Sequence, residues 1–227
     1  MRLDIITIFP EMVEPWAKAS LIGSAVQRGL VEIHLHDLKR FSGRKDGRVD
    51  DRPFGGGPGM VFRPDPVMDA LESIPGWQEA LRLHPSPAGQ PWVQASALKA
   101  SGTQHIIMLC SRYEGVDERA LQLGGFVEAG VGDFVCMGGE APAMMMAESV
   151  VRLLPGVLGD EQSALQDSFS GSGPATLDCP HYTRPAEYRG LKVPDVLVGG
   201  DHAKVDAWRK AEGLRLTRER RPDLGRC

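Results

Sequence analysis

Several stretches of the chain carry groups of the kind that do chemistry. Gly55-Gly-Gly-Pro-Gly59 can present backbone amides to an anion. The residues that follow are Met60-Val61 rather than Lys-Ser/Thr, so this is not a nucleotide P-loop. A tight turn with unusual backbone angles explains it equally well. Ser111-Arg-Tyr-Glu-Gly115 follows the apolar run Ile106–Cys110. Open α/β sheets bind ligands at the carboxyl ends of their strands, which makes Arg112, Tyr113 and Glu114 ligand candidates; the alternative is an ordinary strand-to-helix turn. Val131-Gly-Asp-Phe-Val-Cys-Met-Gly-Gly-Glu-Ala-Pro142 is another glycine-rich connection. There Gly138-Gly139 permits close backbone approach, and Glu140 starts a helix. Neither connection reads G-x-G-x-x-G, so a nicotinamide cofactor is not indicated.

Asp167 stands in Gln166-Asp-Ser-Phe169, within a stretch that reads as a linker, where carboxylates are ordinarily solvated. Arg152 lies near the end of an apolar helix, where a cation also suits the macrodipole. Asp178-Cys-Pro-His-Tyr-Thr-Arg-Pro185 gathers His181, Tyr182 and Arg184 between prolines. That grouping suits RNA contact by stacking and charge-assisted bonds, or a packed turn between domains. His34 and His36 read as surface residues on the solvent side of a strand.

These groups need elements to position them. Leu3–Phe9 reads as a buried strand, Pro10 opens a helical stretch that continues to Gly29, and Val31, Ile33 and Leu35 alternate as a half-exposed strand. This strand–helix–strand start implies a right-handed crossover and a parallel sheet. Residues 39–64 have no period, which in a compact domain points to a functional or a mobile segment. Further on, helices are expected at Pro66–Ile74, Val93–Ala100, Asp117–Leu123 and Glu140–Leu154. Strands are expected at Leu81–Leu83, Ile106–Cys110, Phe126–Val131 and Phe134–Met137. The alternation makes the fold class α/β. Residues 156–180 read as a linker, and His202–Glu212 and Leu214–Arg221 as two helices of a small second domain.

The chain has 227 residues with 27 Gly and 17 Pro and no G-X-Y period, so it is loop-rich, globular and not collagen-like. Its net charge of −4 argues mildly against nucleic acid, but the distribution argues otherwise. Residues 1–160 hold 15 Lys and Arg against 20 Asp and Glu, whereas residues 204–227 hold 8 against 4. Cys110, Cys136, Cys179 and Cys227 form no C-x-x-C pair, which disfavours a zinc site and a disulfide framework. No apolar run approaches the roughly 20 residues of a membrane span, so no membrane association and a cytoplasmic location are expected.

In their order and spacing, Val49–Met60, Cys110–Arg119, Gly132-Asp-Phe134, Gly138-Gly-Glu140, Pro155–Gly159, Asp167-Ser-Phe169 and Asp178–Pro185 closely resemble the bacterial tRNA (guanine-N1)-methyltransferase family. The likeness covers nearly the whole chain. It extends more generally to the knotted α/β methyltransferases. It implies a trefoil-knotted S-adenosylmethionine-binding domain over 1–159, with the knot built from about residues 83–142. It also implies a flexible linker over 160–172 and a small helical tRNA-binding domain over 173–227.

The resemblance further implies a homodimer with its active site between subunits, methylating N1 of the guanosine 3′ of the anticodon. The cofactor loops map onto Pro85, Ser86 and Pro87; onto Ser111, Tyr113, Glu114 and Gly115; and onto Val131, Gly132, Asp133, Phe134, Val135, Cys136, Gly138, Gly139 and Pro142. The general base falls on Asp167 and an active-site arginine on Arg152. The residues expected to meet the RNA are Asp50, Gly57, Pro58, Gly59, His181, Tyr182 and Arg184. Magnesium dependence is implied, with Glu114 as its candidate ligand. Ser111 and His84-Pro85 depart from the family's usual residues. Two other functions fit less well: ribose methylation, which gives Asp167 no N1 proton to remove, and cofactor-free RNA binding, which leaves Asp167, Arg152 and the glycine loops without a task.

Overall fold

The structure is a computed structural model that describes residues 1–159, 167–170 and 175–225. The chain divides into two compact units, Met1–Gly159 and Asp160–Cys227. Residues 160–166 and 171–172 of the expected linker lie outside the described residues.

The first unit runs β1 (Arg2–Thr7), α1 (Pro10–Ala17), α2 (Ser20–Gln27), β2 (Glu32–Asp37), β3 (Asp50–Asp51), β4 (Val61–Phe62), α3 (Pro64–Glu72), β5 (Leu81–Pro91), α4 (Gln94–Ser101), β6 (His105–Leu109), α5 (Glu118–Gly124), β7 (Val127–Gly130) and α6 (Glu140–Val151). Five strands form one parallel sheet in the order β2-β1-β6-β5-β7. Successive side chains point to opposite faces of a strand, so buried strands feed two cores. Leu3, Ile5, Ile106 and Met108 join Val13, Ile22, Ala97, Met146 and Val150 from α1, α2, α4 and α6. Ile6, Ile107 and Leu109 join Val67, Leu71 and Ala120 from α3 and α5. Helices therefore cover both faces, the α/β layering expected from the alternation.

Four local expectations are corrected. The helical stretch after Pro10 is two helices, because the chain turns at Lys18-Ala19 and Ser20 takes φ +50°. Leu21, in the second of them, is exposed. The strand starting at Leu81 does not stop at Leu83. It pairs with β7 as far as Pro85, bulges, and resumes pairing at Gln90. Gly89 is required there because the Ala129 backbone occupies the place of a side chain. Phe134–Met137 forms no strand, and Phe134, Val135 and Met137 are exposed. Finally, His36 is not a plain surface residue. Its Nε2 donates to the buried Asp4 carboxylate at 2.6 Å, as does His105 Nε2 at 2.8 Å, and Arg2 binds both carboxylate oxygens at 2.6 and 3.0 Å.

In the second unit, β8 (Glu187–Tyr188) and β9 (Leu191–Lys192) form a short antiparallel hairpin, followed by α7 (Asp195–Val198) and α8 (His202–Arg220). The two helices expected around Gly213 are one. Gly213 sits mid-helix, where a Cβ would come within 2.7 Å of the Leu177 carbonyl oxygen. Its lack of a side chain serves close packing rather than helix termination.

Candidate active site

The carboxyl ends of β5, β6 and β7 open onto a cleft of about 320 Å³ in the first unit. Three connections wall it: Pro85-Ser86-Pro87 in the β5 bulge, Ser111–Gly115 after β6, and Val131–Pro142 between β7 and α6. Of the expected cofactor residues, Asp133 alone does not line it. His84, Arg112, Ala129, Gly130 and Met137 line it as well.

Much of the wall is backbone, and glycines make that possible. A Cβ on Gly139 would stand 3.0 Å from Cys110 Cα, and the Gly139 amide donates to the Ser111 carbonyl at 2.8 Å. A Cβ on Gly130 would come within 3.2 Å of the Ser86 carbonyl oxygen. Tyr113 adopts φ +57°, uncommon for a bulky residue, and its ring packs edge-on against Phe62 with centroids 6.1 Å apart. Beneath the cleft, burial pushes the Cys110 thiol well above its ordinary pKa, which leaves it inert. His84 is buried, and its Nδ1–H donates to the Leu109 carbonyl at 2.9 Å. Burial lowers its pKa, so the ring is neutral near pH 7.

The aperiodic segment 39–64 meets the Ser111–Gly115 wall at the end of its glycine run. Asp50 and Asp51 pair antiparallel with Phe62 and Val61, which makes Gly55–Gly59 the connection between β3 and β4. The Phe62 amide donates to the Gly115 carbonyl at 2.9 Å, and the Glu114 amide to the Met60 carbonyl at 3.0 Å. Glu114 packs against Gly59, whose φ is +81°. The structure thus brings Gly59 and Met60 to the loop that carries Tyr113 and Glu114, with Asp50 joined to it through its pairing with Phe62, whereas a Cβ on Gly57 would meet nothing within 4 Å.

Arg112, a ligand candidate by position, is engaged with protein. Its Nε donates to Glu140 Oε2 at 2.9 Å, and its guanidinium lies over the Phe9 ring, 4.8 Å from the centroid. Glu140 is fully buried and also accepts from Thr7 Oγ1 at 2.7 Å. Sequence reading placed Glu140 only at a helix start. No sequence signal marked it, since Arg112 and Thr7 lie 28 and 133 residues away.

Arg152 caps the C-terminus of α6 and is half-buried. In the second unit, Asp167 lines a separate cleft of about 480 Å³ together with Thr176–Cys179, Asp206, Arg209 and Lys210. The Phe169 amide donates to the Thr176 carbonyl at 2.7 Å, and the Asp178 amide to Ser168 Oγ at 2.9 Å, so residues 167–170 are fastened to 176–178. His181 Nε2 donates to Asp178 Oδ2 at 2.9 Å. Tyr182 lies beside Trp208, with ring centroids 6.2 Å apart. Arg184 is exposed. Among the described residues, no cluster of three or more His, Cys, Asp or Glu could hold a metal ion, and no helix is long and apolar enough to cross a membrane.

A family model described as tRNA (Guanine-1)-methyltransferase TrmD matches residues 1–226. A tRNA (guanine-N(1)-)-methyltransferase of Nocardia farcinica is 48% identical over 228 residues, covering 99% of this chain and 96% of the relative. Proteins of the same description from Brevibacillus brevis and Neisseria meningitidis are 46% and 45% identical, each over 99% of this chain, covering 91% and 90% of their own lengths. With a glycine-walled cleft at the strand ends and a match along the whole chain, the protein belongs to the tRNA (guanine-N1)-methyltransferase family.

Proposed function

We propose that this protein transfers a methyl group from S-adenosylmethionine to N1 of the guanosine immediately 3′ of the anticodon in tRNA. The observation that carries the reading is family membership over the full chain, joined to a cleft built where α/β sheets bind ligands.

The cleft suits that cofactor. Its size falls within the range of small-molecule sites. Pro85, Pro87, Val131, Phe134 and Pro142 offer apolar surface to a purine, the glycine walls offer backbone amides and carbonyls, and Glu114 offers a carboxylate to a cation. S-adenosylmethionine supplies a methyl group made electrophilic by its positive sulfonium.

The protein's own residues do the rest. Guanine N1 carries a proton, and Asp167 is the general base that accepts it, a contribution of roughly 10²–10⁴-fold. Arg152 stabilises the negative charge that builds on O6 as that proton leaves. Asp50, Gly57, Pro58 and Gly59, with His181, Tyr182 and Arg184, hold the guanosine out of the anticodon stack. Extruding it costs a few kcal/mol, which stacking on an aromatic such as Tyr182 offsets. A magnesium ion would take Glu114 as one ligand and the rest of its oxygens from RNA, cofactor or water, since magnesium commonly keeps waters and few carboxylates. The reading includes a knot across 83–142 and a homodimer whose interface completes the site. The exposed apolar Phe134, Val135 and Met137 at the cleft support an interface there.

Methyl transfer to two tRNA transcripts that differ only at that guanosine tests the proposal. Labelling should be lost when the guanosine is replaced, and equal labelling of both transcripts would refute the substrate.

A further inference from the structure

Arg112 lines the cleft, and it forms an ion pair with Glu140, 28 residues away at the start of α6 and next to the lining residue Gly139. Glu140 has no solvent exposure. One of its oxygens accepts from Thr7 at the end of β1, the other from Arg112 Nε. The Thr7 hydroxyl in turn accepts from the Phe9 amide at 2.9 Å. The guanidinium is held on its remaining sides: it lies over the Phe9 ring, its Nη2 is 2.8 Å from Met12 Sδ, and its Nη1 reaches the Met137 carbonyl at 3.5 Å. Arg112 and Gly138 form an isolated antiparallel bridge, and the Arg112 side chain fills the space that a Cβ on Gly138 would need.

We infer that Arg112 and Glu140 are a positioning pair that locks the loop after β6 to the loop before α6 and so sets the width of the cofactor cleft. The inference rests on the reading that S-adenosylmethionine binds there. Without Arg112, Glu140 is a buried carboxylate short of a partner, and Gly138 faces an empty space. Either change loosens the 134–139 backbone against the 111–115 backbone, which the Gly139–Ser111 hydrogen bond then holds without side-chain support. Without the Glu140 charge, Arg112 loses its ion pair and keeps only its contacts with the Phe9 ring, Met12 Sδ and the Met137 carbonyl. The apolar walls and backbone groups expected to meet the cofactor sit on these two loops, so loosening them weakens the cofactor without touching the tRNA-facing residues of the second unit. A fixed wall costs nothing to organise on binding, whereas a loose one must be ordered each time.

The test is calorimetric binding of S-adenosylmethionine and, separately, of tRNA to the full chain in wild type, Arg112→Lys, Glu140→Gln and the double variant, each checked for folding by circular dichroism. Each single variant should raise the S-adenosylmethionine Kd by about 10-fold or more while leaving the tRNA Kd within about 2-fold. The double variant should be no worse than the weaker single one, because residues of one pair do not add. A folded variant with unchanged cofactor affinity overturns the pair's role, and so do losses that add. If no variant folds, wild-type hydrogen exchange decides: the Gly139 amide should be protected in the cofactor-free protein, and rapid exchange there overturns the inference. A wild type that binds tRNA but no S-adenosylmethionine would instead overturn the cofactor reading on which the inference stands.

Discussion

Glu114 packs its side chain against Gly59, where the glycine run between β3 and β4 meets the loop after β6. Gly59 lies in the left-handed region at φ +81°, and Glu114 occupies the space a Cβ would take. The expected substrate loop and the expected cofactor loop are therefore one contact surface.

Gly59→Ala should disturb that surface without unfolding the protein. The strained backbone costs about 1 kcal/mol, or a drop of about 2–4 °C in Tm, because the loop itself is exposed. The displaced Glu114 should lower kcat/KM for tRNA by about 10-fold or more. Thermal melting and steady-state methyl transfer check both parts; unchanged kinetics would count against a functional contact.

Asp4 should govern acid stability. Burial alone would raise its pKa, but hydrogen bonds from His36, Arg2 and His105 outweigh that and hold it well below the usual carboxylate range. A carboxylate depressed in the native state stabilises fully above its unfolded pKa of about 3.9, and that stability is lost as pH falls. Urea denaturation should show stability falling from about pH 5 downward. Asp4→Asn should cost on the order of 3 kcal/mol at pH 7 and flatten that decline. An Asn variant with the wild-type acid profile would remove Asp4 from this role.

His84 makes the opposite kind of group responsible for a second pH window. Its pKa is lowered by burial, so its native state binds fewer protons than the unfolded chain. Its contribution is complete above the unfolded value of about 6.5 and declines as pH falls below it. Protonation would also place a cation beside a cleft proposed to take a sulfonium. S-adenosylmethionine affinity should weaken only as the pH falls below the ordinary histidine range, through the lowered native value, and His84→Gln should bind with less dependence on pH there. Titration calorimetry at several pH values decides it; an identical pH profile in the variant would contradict the assignment.

The places of the central strands were legible because parallel strands buried on both faces read as apolar runs, as in Leu3–Phe9 and Ile106–Cys110. The cleft-lining connections were legible for a related reason, since glycines cluster where backbones must approach. Patterning failed where apolar residues are not buried: Phe134, Val135 and Met137 read as a strand and stand exposed at the cleft. It failed again at Gly213, where a packing glycine reads like a helix stop. The polar clusters were out of reach altogether. Asp4 meets a histidine 101 residues away, and Thr7 meets Glu140 across 133 residues, so neither pairing leaves a local signature.

Single-turnover methyl transfer by wild type and Asp167→Asn to one tRNA transcript, with the methylated nucleoside identified in a nuclease digest, tests the account most directly. The predicted result is N1-methylguanosine next to the anticodon from the wild type. The variant should be slower by roughly 10²–10⁴-fold at nearly unchanged tRNA affinity. A methyl group found on another atom or nucleoside, or a variant that turns over at a near-wild-type rate, would contradict it.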